Sequence, residues 1–167
     1  HIRQQSLVIA DNGAVDSTSP VGVMIAAMPM GRYFGEKSKR GINVCVSSWR
    51  RISDSDLPPR VKATANYQNS RIVSIQAKED GYDAGIMLTK DGYVAEGAVA
   101  NLFIIRNGQP ITSLTTDGIL EGITRSTIIE LFKEEYGLKV VERHIDRTEL
   151  YTADEAFFCG SGAEVTP

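Results

Sequence analysis

Ala84-Gly85-Ile86-Met87-Leu88-Thr89-Lys90-Asp91-Gly92-Tyr93-Val94-Ala95-Glu96-Gly97 runs directly into Ala98-Val99-Ala100-Asn101-Leu102-Phe103-Ile104-Ile105-Arg106-Asn107-Gly108-Gln109-Pro110-Ile111-Thr112. This stretch decides the fold class. Asp91-Gly92 and Asn107-Gly108 are turn dipeptides that accept positive φ, so each closes a hairpin between apolar runs. The first hairpin is expected to join residues 84–88 to 93–95, the second 102–106 to 109–112. Between them lies Glu96, flanked by Val94-Ala95 and Ala98-Val99. An acid in such apolar surroundings needs a partner.

Reading outward, residues 66–79 have helical character closed by Gly81, with Ile72, Val73, Ile75 and Ala77 as a broad apolar side. Thr124 is expected to cap a second helix through Tyr136, ended by Gly137, with Ile128, Leu131 and Phe132 facing inward. Strands are expected at 42–48, 139–145 and 156–159, and a short helix at 147–151. The apolar runs 7–10 and 21–28 flank a Gly/Asp/Ser/Pro-rich segment at 11–20 and suggest a strand pair with a loop. Trp49 is expected in the core. No internal repeat is visible. The pattern is α+β, with hairpins outnumbering βαβ units.

The 167 residues allow one domain with a substantial core. A net charge of -3, with no basic tract, argues against nucleic acid and anionic membrane surfaces as partners. No apolar run approaches the roughly 20 residues that span a bilayer. Cys45 and Cys159 stand far apart in apolar segments and read as reduced, buried thiols of a cytoplasmic protein. His1 and His144 have no metal-site spacing, so no metal is expected. The chain starts in mid-pattern at His1-Ile2-Arg3 and stops at Val165-Thr166-Pro167, as a piece of a longer protein would.

Four features have chemical potential together. Lys62 follows a Pro-rich turn, and Tyr67 lies just beyond it, at the start of the first helix. Glu96 is the apolar-flanked acid, and Gly122-Ile123-Thr124 opens the second helix, where free N–H groups and the dipole favour an anion. An amine, a phenol, a carboxylate and a helix start are what a pyridoxal phosphate site needs. Gly160-Ser161-Gly162 adds further backbone donors for a phosphate or a carboxylate. Arg3 is a candidate clamp for a second substrate carboxylate, and Tyr33 a candidate pocket wall.

Lys62-Ala63-Thr64-Ala65-Asn66-Tyr67, Gly92-Tyr93-Val94-Ala95-Glu96-Gly97, Asn101-Leu102-Phe103, Leu120-Glu121-Gly122-Ile123-Thr124-Arg125 and Ala163-Glu164-Val165-Thr166-Pro167 resemble, in order, motifs of class IV aminotransferases. These are fold-type IV (D-amino acid aminotransferase-like) pyridoxal phosphate enzymes, and the resemblance is strongest to branched-chain amino acid aminotransferases. It implies pyridoxal 5'-phosphate as cofactor and Lys62 as Schiff-base lysine and proton shuttle. It places Tyr67 on the ring oxygen, Glu96 on the pyridine nitrogen, and Leu120, Gly122, Ile123, Thr124 and Ser161 around the phosphate. Ser161 and Gly162 would receive the α-carboxylate, Met30 and Tyr33 would line the side-chain pocket, and Arg3 would meet the distal carboxylate of glutamate.

The implied reaction is ping-pong transamination between branched-chain L-amino acids and 2-oxoglutarate, by a homodimer or other homo-oligomer. D-amino acid or (R)-amine transamination, aminodeoxychorismate lyase activity and an inactive fragment are the alternatives. Residues 1–28 would be a remnant of the small N-terminal domain, 29–35 the linker and 36–167 the cofactor-binding large domain. The sequence departs from the family pattern at Ala65 (commonly Gly), Val99-Ala100 (Gly-Glu or Gly-Ser), Ser161-Gly162 (Thr-Ala) and His1 (Tyr). A phosphate-binding arginine of the small domain and the last strands of the large one have no counterpart in it.

Overall fold

The computed structural model describes residues 8–9, 15–16, 23–29 and 31–167. Arg3 and Met30 lie outside the described residues. The chain forms two compact units, residues 1–30 and 31–167. In the first, β1 (Val8–Ile9) pairs antiparallel with β2 (Val15–Asp16). The strand partner thus falls inside the expected loop, and residues 23–29 form no strand. Apolar content alone does not make a strand without a ladder to join.

The second unit has four layers. β3 (Val44–Arg50), α1 (Asn66–Glu79) and β4 (Ala84–Leu88) form a βαβ unit whose strands pair in parallel, Val44 against Ala84 and Val46 against Ile86. β5 (Val94–Gly97) turns back antiparallel on β4. β6 (Asn101–Arg106) and β7 (Gln109–Thr112) form the second hairpin, with Asn107 at φ 49° and Gly108 at 73° in the turn. After α2 (Ile123–Tyr136) comes β8 (Val141–Glu142), parallel to β7, and then a 3-10 turn at Arg147–Tyr151. β9 (Glu155–Gly160) and β10 (Glu164–Thr166) complete a five-stranded sheet in the order β10-β9-β6-β7-β8. Hairpins do outnumber crossovers, but there are two crossovers, and the strand at 164–166 was not expected.

Strand alternation builds the layers. Ile86 and Leu88 of β4 join Leu102 and Ile104 of β6 in one core, with Val94, Ile111 and Phe158. The residues between them face the other way: Met87 packs with Val73 of α1, and Phe103 with Ile128 of α2. Two sheets therefore share a core, and each carries a helix on its outer face.

Several local expectations are corrected. β3 lies two residues later than expected and is only half-buried, and Trp49 at its end is 49% exposed. On α1 the buried residues are Asn66, Ser70, Val73 and Ala77 at the i, i+4, i+7 spacing, which turns Ile72 and Ile75 outward. On α2, Arg125 and Ile128 are buried while Leu131 is exposed. The cap of α2 is Gly122, with Thr124 already inside the helix. The expected strand 139–145 shrinks to two residues, because β8 finds ladder partners only at Ile111 and Thr112. Cys45 is half-buried and Cys159 buried, and both are free.

At Gly85 an added Cβ would lie 2.6 Å from Val73 Cγ1, where α1 rests on β4. Gly85→Ala is expected to destabilise the chain by about 1–3 kcal/mol through overpacking, read as a lower denaturant midpoint with unchanged slope.

Candidate active site

The centre of the site is Glu96, 5% exposed on β5. Its Oε1 meets Arg51 Nη2 at 3.0 Å. Its Oε2 accepts from Asn101 Nδ2 at 2.9 Å and from the Leu120 backbone N–H at 3.1 Å. Burial pushes the Glu96 carboxyl up to about 7, and Arg51, the Leu120 N–H, Lys62 and Arg125 pull it back. A charged carboxylate at this depth survives only because it is paired and hydrogen-bonded.

Each partner arrives by a specific piece of backbone. Arg51 follows β3, its N–H bonded to Leu88 O at 2.9 Å and its Nε donating to Gly118 O at 2.8 Å. Asn101 opens β6, where the chain passes from one sheet to the other through a turn closed by Gly97 N–H on Ala100 O. Asn101 Nδ2 also donates to Leu120 O at 2.9 Å. Its Oδ1 fills the space a Cβ on Gly122 would need, so glycine is required there.

The segment from Ser113 to Gly122 delivers the start of α2 and is fastened along its length. Ser113 Oγ donates to Val94 O at 2.8 Å, and Arg125 Nη2 donates to Ser113 O at 2.9 Å. Asp117 meets His144 Nδ1 at 2.8 Å, and His144 stacks on Tyr93. Gly118 takes φ +71° with Ile52 O close to where a Cβ would sit. Glu121 pairs with Arg60 at 2.8 Å, two residues before Lys62.

Lys62 is exposed on the turn leading into α1. Asn66 Nδ2 fixes that turn by donating to Pro58 O at 2.9 Å and Val61 O at 2.8 Å. Lys62 Nζ lies 5.6 Å from the centre of the Tyr67 ring, a cation–π distance. Ile123 is exposed and Thr124 half-buried in the first turn of α2, whose first helical bond is Ser126 N–H to Gly122 O.

The structure thus brings Glu96, Leu120 and Gly122 together directly or through Asn101, and Lys62 next to Tyr67. Ser161 and Gly162 are exposed on the β9–β10 turn, with neighbouring Gly160 backed onto Val99 and Ala100. Tyr33, edge-on to Phe34, lines a cleft with Gly97, Ala98, Val99 and Ala100. Sequence reasoning missed Arg51, and it gave Asn101 no role although the motif containing it was noticed. Among the described residues no cluster of metal-ligating groups is present.

Residues 6–167 match the amino-transferase class IV family. The chain belongs to the class IV aminotransferase family. This class IV chain is 46% identical over 153 residues to the probable branched-chain-amino-acid aminotransferase of Aquifex aeolicus, covering 92% of this chain and 48% of that one. It is 44% identical over 146 residues to the branched-chain-amino-acid aminotransferase of Escherichia coli K12, covering 87% and 47%. Among solved structures, the branched-chain aminotransferase of Thermoproteus uzoniensis with norvaline superposes with a TM-score of 0.80 at 46% identity, over 85% of this chain and 46% of that one. The enzyme of Thermobaculum terrenum in its PLP-form gives 0.76 at 49% identity, over 79% and 44%. The fold is that of the fold-type IV enzymes, and the chain spans about half the length of these relatives.

Because burial raises the Glu96 pKa above its unfolded value, its contribution to stability is present below about pH 4.5 and lost as pH rises through about 7. Between pH 5 and 8.5 the cofactor-free chain is expected to lose on the order of 3 kcal/mol that Glu96→Gln does not lose. Denaturant unfolding at both pH values measures this; parallel pH profiles would refute it.

Proposed function

We propose that this chain is the cofactor-binding part of a pyridoxal 5'-phosphate-dependent branched-chain amino acid aminotransferase, exchanging the amino group of leucine, isoleucine or valine with 2-oxoglutarate. The observation that carries this reading is the buried Glu96 in its ring of donors, on a chain of this family. On this reading residues 36–167 are the large domain, 29–35 the connection and 1–28 part of a small domain.

The residues present fit the cofactor. An ionised carboxylate offers about four lone-pair positions, and Glu96 has three donors, Arg51, Asn101 and the Leu120 N–H. One position is left for a protonated ring nitrogen. Asn101 couples this acid to the Leu120–Gly122 backbone, so the nitrogen and phosphate ends of a ligand are held by one framework. When bound, pyridoxal phosphate supplies an aldehyde that condenses with amines and a ring that accepts the electron pair released at the substrate α-carbon.

The chain's own residues divide the remaining work. Lys62 Nζ would be the amine that holds the cofactor and the base that carries the substrate's α-proton. Tyr67 orients the ring oxygen and presents its face to the lysine ammonium. Glu96 keeps positive charge on the ring nitrogen. The Ile123 and Thr124 N–H groups, with Leu120, Gly122 and Ser161, receive the phosphate. Ser161 and Gly162 receive the α-carboxylate, and Tyr33 lines the side-chain pocket. The cycle is ping-pong, one keto acid leaving before the next enters.

On this reading the protein works as a homo-oligomer, as the resemblance to the family implies. Among the described residues no helix is long and apolar enough to cross a membrane. Free Cys45 and Cys159 support a reducing, cytoplasmic setting.

With excess cofactor, L-leucine and 2-oxoglutarate are expected to yield glutamate, and Lys62→Ala is expected to lower the rate at least about 10³-fold. Conversion of D-alanine but not L-leucine contradicts the substrate assignment. Cofactor binding with no glutamate formed makes the chain a binding piece only. An undiminished rate in Lys62→Ala removes the lysine from its role.

A further inference from the structure

Resting on this reading of Glu96, we propose that Arg51 is a positioning residue that favours the charged form of Glu96 and aims its free lone pair at the cofactor's ring nitrogen. The geometry is specific. Arg51 is 7% exposed, and its planar head is fixed at two points, Nη2 on Glu96 Oε1 and Nε on Gly118 O. Gly118 reaches it only because it has no Cβ and adopts a left-handed backbone against Ile52. An arginine held at both ends is a fixed donor, where a lysine would be a mobile point charge.

The other charged groups acting on Glu96 serve different tasks. Lys62 and Arg125 contribute at longer range. Lys62 is committed to its own chemistry, and Arg125 Nη2 is bound to Ser113 O and Glu142. Asn101 and the Leu120 N–H are neutral donors on the other oxygen. Arg51 is therefore the one cation among the described residues in direct contact with the acid. Without it, burial would favour a neutral carboxyl, which gives a protonated nitrogen no counter-charge. Its backbone tie to Leu88 O also couples this duty to the β3–β4 sheet.

The test compares binding of two ligands to the full chain: pyridoxal 5'-phosphate, and its deaza analogue with CH in place of the ring nitrogen. Only the first can use Glu96 through nitrogen. Wild type is expected to prefer the nitrogen cofactor, and Arg51→Met to reduce that preference about tenfold or more, the scale of a charged hydrogen bond. Arg51→Lys is expected to restore part of it. In a Glu96→Gln background, replacing Arg51 should leave the ratio unchanged, because the effect passes through the acid. If Arg51→Met does not fold by circular dichroism, the Arg51→Lys variant and the Arg51→Met/Glu96→Gln double variant, which has no orphaned buried charge, give the same comparison.

Equal weakening of both ligands overturns the proposal and leaves Arg51 a purely structural residue. A shift in ratio that persists in the Glu96→Gln background overturns it as well. Failure of wild type to bind either ligand overturns the cofactor reading beneath it.

Discussion

A carboxylate removed from water must be surrounded by donors, and in this chain that requirement organises the site. Glu96 draws in the end of β3 through Arg51, the start of β6 through Asn101 and the approach to α2 through the Leu120 N–H. These segments are distant in sequence and belong to both sheets. Removing one donor leaves the others bound to a poorly compensated charge, so the group acts as a unit.

The layers explain why the site lies where it does. Two sheets share one core, and the chain crosses between them at Gly97-Ala98-Val99-Ala100. Close to that crossing sit the acid, the β9–β10 turn with Ser161, and the loop that ends at Gly122. The helix dipole of α2 and its unpaired first N–H groups are thereby delivered next to a buried acid whose charge is already balanced. The remainder of α2 is fixed by Phe103 and Ile128.

Local chemistry made much of this legible in the sequence. The Asp91-Gly92 and Asn107-Gly108 turns determined both hairpins, and Gly81 and Gly137 marked helix ends, because positive φ is a property a single residue reveals. The resemblance carried the family and the order of the motifs. Tertiary facts were not legible. β8 is short because its partner strand is short, and Trp49 is half-exposed because nothing among the described residues covers the end of β3. Ile72 and Ile75 point outward because the buried stripe of α1 runs through Ser70 and Asn66 instead. Arg51 gave no signal at all, since an arginine after a strand reads as solvated until its buried partner is located.

The proposed chemistry depends on Glu96 being a charged acceptor for a ring nitrogen. The most direct measurement is the ¹⁵N chemical shift of ring-labelled pyridoxal 5'-phosphate bound to the full chain at neutral pH. A protonated, pyridinium-like nitrogen is expected, reverting toward the neutral pyridine value in Glu96→Gln. A neutral pyridine shift in the wild-type chain, or a shift indifferent to that substitution, would contradict it.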